Sequence, residues 1–398
     1  MKFIQIIISS YTLLVFLNLI YYFTIIKIIN FPSYYIVIAF FSLMILYYHN
    51  TKKKIYLNKG LLLWVVMYSI IITVYYLADG APGGKEYKLF VPSIVWLFSF
   101  LTMSLIYNLD NNELLITRKS IIISLLIGVL LLLYDFTHPG FFTADYVTHY
   151  YESGRAVATY GNQNIVGAVF ILGLILTIDI IPYYLKFPYI IFIFIGILTT
   201  VSRSNILIYF VILVIMAIQK KISRASSILL LLVFILLIFW LLFFGLDILQ
   251  QDFDIKISND VIDRLEFFTD FQHHAQSHNE ERAHVLEAAL SMFADKPILG
   301  NGLGATRMWH YRVGPHNTFA LTWADFGLIG ILIIPSFLFF TTYNIIRNSR
   351  KEYRDIGILF IFYFTLSSFF SHNMLEQGFN ICGAVIVATL GIKNKVYK

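Results

Sequence analysis

A chain of 398 residues that is 59% hydrophobic and 13% charged is not a soluble domain, since soluble chains carry about a quarter charged residues. Its net charge of +6 does not mark a nucleic-acid binder, because Lys and Arg fall mainly in short segments between apolar runs, as membrane topology requires. The single cysteine, Cys382, lies in an apolar run and excludes an intramolecular disulfide framework.

A membrane span needs about 20 apolar residues. That length predicts an all-α polytopic membrane protein of about 12 transmembrane helices. They fall near 3–29, 33–48, 61–78, 91–107, 120–136, 160–181, 183–201, 204–218, 228–250, 318–345, 356–370 and 379–392. The first run is too long for a signal peptide and lacks a small-residue cleavage site, so it reads as a retained helix. A large outer loop, 251–317, separates the ninth and tenth helices and contains short amphipathic helices. The predicted organisation is therefore nine helices over 1–250, an extracytoplasmic subdomain over 251–317, and three helices over 318–398, all within one membrane domain.

With the N-terminus in the cytoplasm, the inside segments hold 18 of the 29 Lys and Arg residues, the short outside segments five and the long loop six. Long loops obey the positive-inside rule poorly, so the first two numbers decide the orientation. Both termini are predicted inside. The stretch 189–218 would be about 45 Å long as one helix, well over the hydrocarbon thickness. Two short helices joined at Ser202-Arg203-Ser204 on the outer face fit better.

Arg203 at that joint is the sharpest intramembrane signal, because an arginine at membrane depth costs several kcal/mol without a partner or a wet cavity. An ordinary snorkelling arginine is the bland alternative. Upstream, Arg155 precedes the run Gly161-Asn162-Gln163-Asn164, whose asparagines suit a helix cap or a sugar contact. Within the loop, the histidines His273, His274, His278 and His284 match no tight zinc spacing, and no metal or cofactor is expected.

From Glu280 the periodicity becomes helical, with Ala283, Leu286, Ala289, Leu290 and Phe293 on one face. Arg282 lies four residues before Leu286 and seven before Ala289, on the packing side, where a guanidinium can clamp phosphate oxygens or pair with a neighbouring glutamate. Pro297 and the glycines of GNGLG turn the chain. His316-Asn317 opens the tenth span: Asn317 or Thr318 suits an N-cap, whereas His316 suits proton transfer near neutral pH. Asp325 follows inside that span, where a nearby cation would balance it. Ser371-His372-Asn373 and Glu376 form the last outer turn.

In order and spacing these elements resemble the bacterial O-antigen ligase and polymerase superfamily. The likeness rests on Arg155 with GNQN, the Ser202-Arg203-Ser204 joint, Arg282 opening ERAHVLEAALSMFADKPILGNGLG, and His316-Asn317 followed by ADFGLIG, and it covers roughly 150–345. The resemblance implies a metal-independent, inverting glycosyl transfer outside the bacterial cytoplasmic membrane, from a glycan on undecaprenyl diphosphate to a glycan or lipid acceptor. It implies Arg203 and Arg282 on the diphosphate and His316 as general base. Arg155, Asn162, Asn164, Asn317 and Asp325 are candidates for glycan contact or for supporting those three. Many members of the superfamily carry Glu where this chain has Asp325. The expected partners are that donor and acceptor, the bilayer and other polysaccharide-assembly membrane proteins, with no nucleic acid. The competing classes are a polysaccharide flippase, which predicts inverted repeats that this sequence lacks, and a non-catalytic scaffold of the assembly complex.

Overall fold

The computed structural model describes residues 2–26, 28, 34–51, 58–78, 97, 99–106, 111–142, 155–223, 271–307, 309, 311, 314–348, 350–371 and 374–396. Among these the secondary structure is helical, without strands. The predicted span at 228–250, the loop residues 251–270 and most of 91–98 lie outside the described residues. The helices are α1 Lys2–Phe16, α2 Leu19–Ile25, α3 Tyr34–Thr51, α4 Lys59–Ala78, α5 Asn111–Thr137, α6 Gln163–Thr177, α7 Tyr183–Leu198, α8 Arg203–Ile218, α9 Phe271–Asp295, α10 Thr318–Asn348, α11 Lys351–Phe370 and α12 Gly378–Val396. Four described helices are long and apolar enough to cross a membrane, and six apolar ones are shorter. The multi-pass helical membrane class is therefore as expected.

The chain divides into two compact units, one of residues 12–30 and 118–279, the other of 1–11, 31–117 and 280–398. In the unit containing Arg203, α6 is apolar on all sides and buried from Val166 to Thr177, as a helix without a polar face must be. Gly173 admits the Leu125 side chain, and Gly196 admits Val129, so α5 and α7 close on α6 at van der Waals distance. One end of these helices is closed by Arg118 of α5, whose Nε donates to the Leu176 carbonyl at 2.6 Å and whose guanidinium pairs with Asp179. Lys186 Nζ reaches the Lys221 carbonyl at 2.9 Å. Chain alternation puts the ends of α5 and α7 and the starts of α6 and α8 at the opposite end, where Arg203 stands.

The predicted first span, 3–29, is broken at Leu17-Asn18, with Asn18 in the left-handed region at φ 52°. The cause is long-range: Thr159 Oγ1 donates to the Leu17 carbonyl at 2.7 Å, and Asn18 Nδ2 donates to the Tyr160 carbonyl at 3.0 Å. By contrast the expected break within 189–218 is present, with α7 ending at Leu198 and α8 starting at Arg203.

In the other unit, α10, α11 and α12 pack together, with α4 against α10 through Trp64 Nε1 donating to Ser336 Oγ at 2.8 Å. Ile70, Val74 and Leu77 of α4 are exposed, as aliphatic residues facing lipid would be. Cys382 is buried in α12. The expected uninterrupted helix 318–345 is instead folded at Gly327, whose φ of 61° and ψ of −136° leave the helical region. Residues eight apart in a straight helix are separated by about 12 Å. Here a Cβ on Gly330 would stand 1.8 Å from the Thr322 carbonyl oxygen, so the chain doubles sharply. Helix α9 also begins earlier than its periodicity suggests, at Phe271.

Candidate functional site

Two groups of the candidate residues are assembled, one in each unit. The first is built around the joint that precedes α8. Arg155 Nε donates to the Thr200 carbonyl at 2.8 Å, and the Ala156 N–H reaches the Thr199 carbonyl at 3.4 Å. Asn162 caps α6, its Oδ1 accepting the Asn164 N–H at 2.8 Å, which is the capping role expected of it. Asn164 Oδ1 in turn accepts the Ser202 hydroxyl at 2.9 Å. Asn205 Nδ2 completes the group by donating to the Asn164 carbonyl and to Ser202 Oγ, at 3.1 and 3.0 Å. Gly167 leaves room for Asn205: a Cβ there would meet its side chain at 2.4 Å.

These bonds hold two strained residues, Ala158 at φ 43° and Val201 at φ 48°. A β-branched residue in the left-handed region is costly and persists only where its surroundings over-determine it. Asp135, in the last turn of α5, supplies part of that hold. Its Oδ2 accepts the Val157 and Ala158 N–H groups, both at 2.8 Å, while its buried Oδ1 has no hydrogen-bond partner among the described residues. Neither Asp135 nor Asn205 stood out in the sequence, although an acidic residue in an apolar helix was a signal for the first.

Arg203 is therefore the first residue of a helix whose entry is fixed from three directions. Its N-cap residue, Ser202, makes no capping bond, its hydroxyl being directed to Asn164 instead. The first N–H groups of α8 and a guanidinium thus share one helix end.

The second group surrounds the start of α10. Asn317 caps it, with Oδ1 accepting the Ala320 N–H at 3.0 Å, and Thr318 Oγ1 donates to the Ser371 carbonyl at the end of α11. His316 is half-buried one residue before that cap. Helix α9 meets α10 through Ala289 packed with Ala320 and Ala324, and Asn301 Nδ2 ties the Met292 and Ala324 carbonyls at 2.7 and 3.0 Å. Back along the chain from this contact, α9 leads to Arg282 and α10 to His316. Among the described side chains of α9, Val285 and Ala289 are buried, three and seven residues after Arg282. Ala283 and Leu290, however, are exposed, because the packed stripe is rotated from the expected face. The Arg282 side chain, like those of His273, His274, His278 and His372, lies outside the described residues. His284 is exposed, 4.0 Å from Glu287.

Asp325 is 2% exposed and forms no ion pair among the described residues. Its carboxylate accepts the Gly304 N–H at 3.1 Å and both the N–H and the hydroxyl of Thr306 at 3.0 Å. The GNGLG run, which reads as a plain turn, is fastened to the fold in α10: Leu328 N donates to the Pro297 carbonyl at 2.8 Å, Asn301 N to Ala324 at 3.0 Å, and Gly302 N to Asp325 at 3.0 Å. Tyr75 of α4 closes the same place, its hydroxyl donating to Leu299 at 2.7 Å. The loop then delivers Arg307 to Glu376 as an ion pair. Burial lowers the Arg307 pKa, but Glu376 and, more remotely, Asp325 outweigh it and leave the guanidinium above its ordinary value.

No curated protein matches the chain. A family model described as O-antigen ligase matches residues 188–334, a segment that contains Arg203, Arg282, His316 and the loop clasped on Asp325. Over that segment the protein is similar to the O-antigen ligase superfamily of membrane proteins.

Proposed function

We propose that this protein is a glycosyltransferase that moves a glycan from undecaprenyl diphosphate to an acceptor hydroxyl at the outer face of a bacterial cytoplasmic membrane, with both termini inside. The observation that carries this reading is the family match, which includes all three residues the chemistry needs: Arg203, Arg282 and His316. A cation in the first turn of a helix opposes the helix dipole. That arrangement makes sense when an anion occupies the helix end, where uncapped N–H groups and a guanidinium bind it together.

In this reaction the acceptor oxygen attacks the anomeric carbon from the side opposite the diphosphate, and the configuration inverts. The bond from that carbon to the diphosphate oxygen breaks, and the oxygen leaves with the electron pair. Arg203 and Arg282 stabilise the charge that develops there, a task arginines perform without a metal. His316 takes the proton of the attacking hydroxyl. Arg155, Asn162 and Asn164 act behind Arg203 by fixing the joint, and Asn317 and Asp325 act behind His316 by fixing the start of α10. The acceptor is the sugar of another lipid-linked unit in a polymerase, or a lipid A core or cell-wall group in a ligase. Other polysaccharide-assembly proteins of the membrane are its partners.

The test uses the purified full-length protein in detergent, a lipid-linked glycan extract from its host and a chelator, with release of undecaprenyl diphosphate as the readout. Arg203→Ala, Arg282→Ala and His316→Ala each lower release by about 100-fold or more. Undiminished release by His316→Ala sinks the assignment of the base, and loss of wild-type release on chelation overturns the metal-free mechanism.

A further inference from the structure

The geometry points to a binding subsite for the acceptor sugar formed by Arg307, Trp309 and Glu376 beside His316. This inference rests on the glycosyl-transfer reading and adds the place where the acceptor ring sits.

Arg307 and Glu376 form an ion pair whose side chains are 29% and 41% exposed. Each is presented by a short loop anchored on buried polar groups. The Arg307 N–H donates to the Gly304 carbonyl at 2.9 Å, and the preceding Thr306 is held by the buried Asp325. Glu376 sits in a turn that Asn380 fixes: its Nδ2 donates to the Met374 carbonyl at 2.9 Å, while its Oδ1 accepts the buried Tyr363 hydroxyl at 2.7 Å. So much buried support for a partly exposed pair is out of proportion to stability, because exposed ion pairs contribute little. It does suit pre-organised recognition of a ligand.

The pair also lies at the right end of the fold. Glu376 is five residues beyond Ser371, whose carbonyl accepts the Thr318 hydroxyl two residues after His316. Trp309 packs on the cluster of Ala289, Ala320 and Ala324, so it lies along the first turns of α10. Its ring meets that of Tyr311 edge-to-face at 5.0 Å, and both rings are partly exposed.

The chemistry selects the ligand. Glu376 cancels the charge of Arg307, so the pair is a poor seat for a diphosphate and a good one for a neutral polyol. A carboxylate accepts from one sugar hydroxyl while a guanidinium donates to its neighbour. An indole face covers the apolar C–H side of the ring, the usual division of a small-molecule site into a few convergent polar groups and apolar walls.

The experiment measures transfer by the purified full-length protein, with its host's lipid-linked glycan as donor. The varied acceptor is a soluble oligosaccharide released from the host's surface polysaccharide. Glu376→Gln and Trp309→Ala are each expected to raise the half-saturating acceptor concentration about tenfold, with the half-saturating donor concentration within about twofold of wild type. Trp309→Phe should recover most of the loss. A His316→Ala control separates the two ideas. If that control is inactive while Glu376→Gln and Trp309→Ala keep wild-type acceptor saturation, the subsite is wrong and the reaction stands. If that control transfers normally, the reaction itself is wrong. Equal weakening of donor and acceptor saturation, or an unfolded Glu376→Gln with Trp309→Ala unaffected, assigns the pair to structure and overturns the subsite.

Discussion

Gly300 and Gly327 cross so closely that neither can carry a side chain: a Cβ on either would lie 2.6 Å from the backbone nitrogen of the other. Both have positive φ, 72° and 61°. The crossing joins the loop after α9 to the fold in α10 and so fixes the approach to His316. Alanine at either position combines left-handed strain with a backbone collision and costs about 2–5 kcal/mol. Thermal melting of the purified protein in detergent should show Gly300→Ala and Gly327→Ala destabilised by several degrees. Gly314→Ala, with nothing within 4 Å of its Cβ, serves as the unaffected control.

Asp325→Asn should be damaging despite its similar size. Three donors converge on the two carboxylate oxygens, and an amide turns one of its ends into a fourth donor. The cost of the clash and of the group left unpaired is about 1–3 kcal/mol, and activity should fall with it as the 300–307 loop loosens. A variant that melts and transfers like the wild type would remove Asp325 from the support of the site.

Asp135 allows the opposite comparison. Only its Oδ2 is used, by two N–H groups, so the oxygen of asparagine replaces it while the amide nitrogen takes the empty side. Asp135→Asn should be near neutral. Asp135→Ala loses both bonds to a strained segment and should cost about 2–4 kcal/mol. Equal melting temperatures for the two variants would contradict the hold on Ala158.

Arg203 should separate activity from stability. Its charge at a helix N-terminus opposes the helix dipole. Arg203→Ala should stay folded while losing transfer by about 100-fold or more. Arg203→Lys, a point charge without the planar fork, should recover only part of the rate. A destabilised Arg203→Ala would make the residue a structural one.

What could be read from the sequence followed from local physics. Apolar length announced the helices, and the cost of a 45 Å helix, at about 1.5 Å per residue, announced the break at Arg203. Asn162 and Asn317 cap because their side chains suit the task wherever a helix starts. The folds at Asn18 and Gly327 were hidden, since each is imposed from far along the chain, by Thr159 and Tyr160 in one case and by the 297–302 loop in the other. The first turns of α9 were missed because FQHHAQSHN has too few apolar residues to reveal a period. The nearby cation expected for Asp325 is Arg307, which acts on it at a distance, whereas its direct partners, the N–H groups of Gly304 and Thr306 and the Thr306 hydroxyl, left no trace in the sequence.

The central claim is tested most directly by gels of surface polysaccharide and of lipid-linked glycan from cells carrying His316→Ala at wild-type protein level. The account predicts a changed ladder. Single repeats at the surface without longer chains identify a polymerase, and long chains stranded on the lipid carrier identify a ligase. An unchanged ladder in both fractions would contradict the account and leave this protein a transporter or a scaffold.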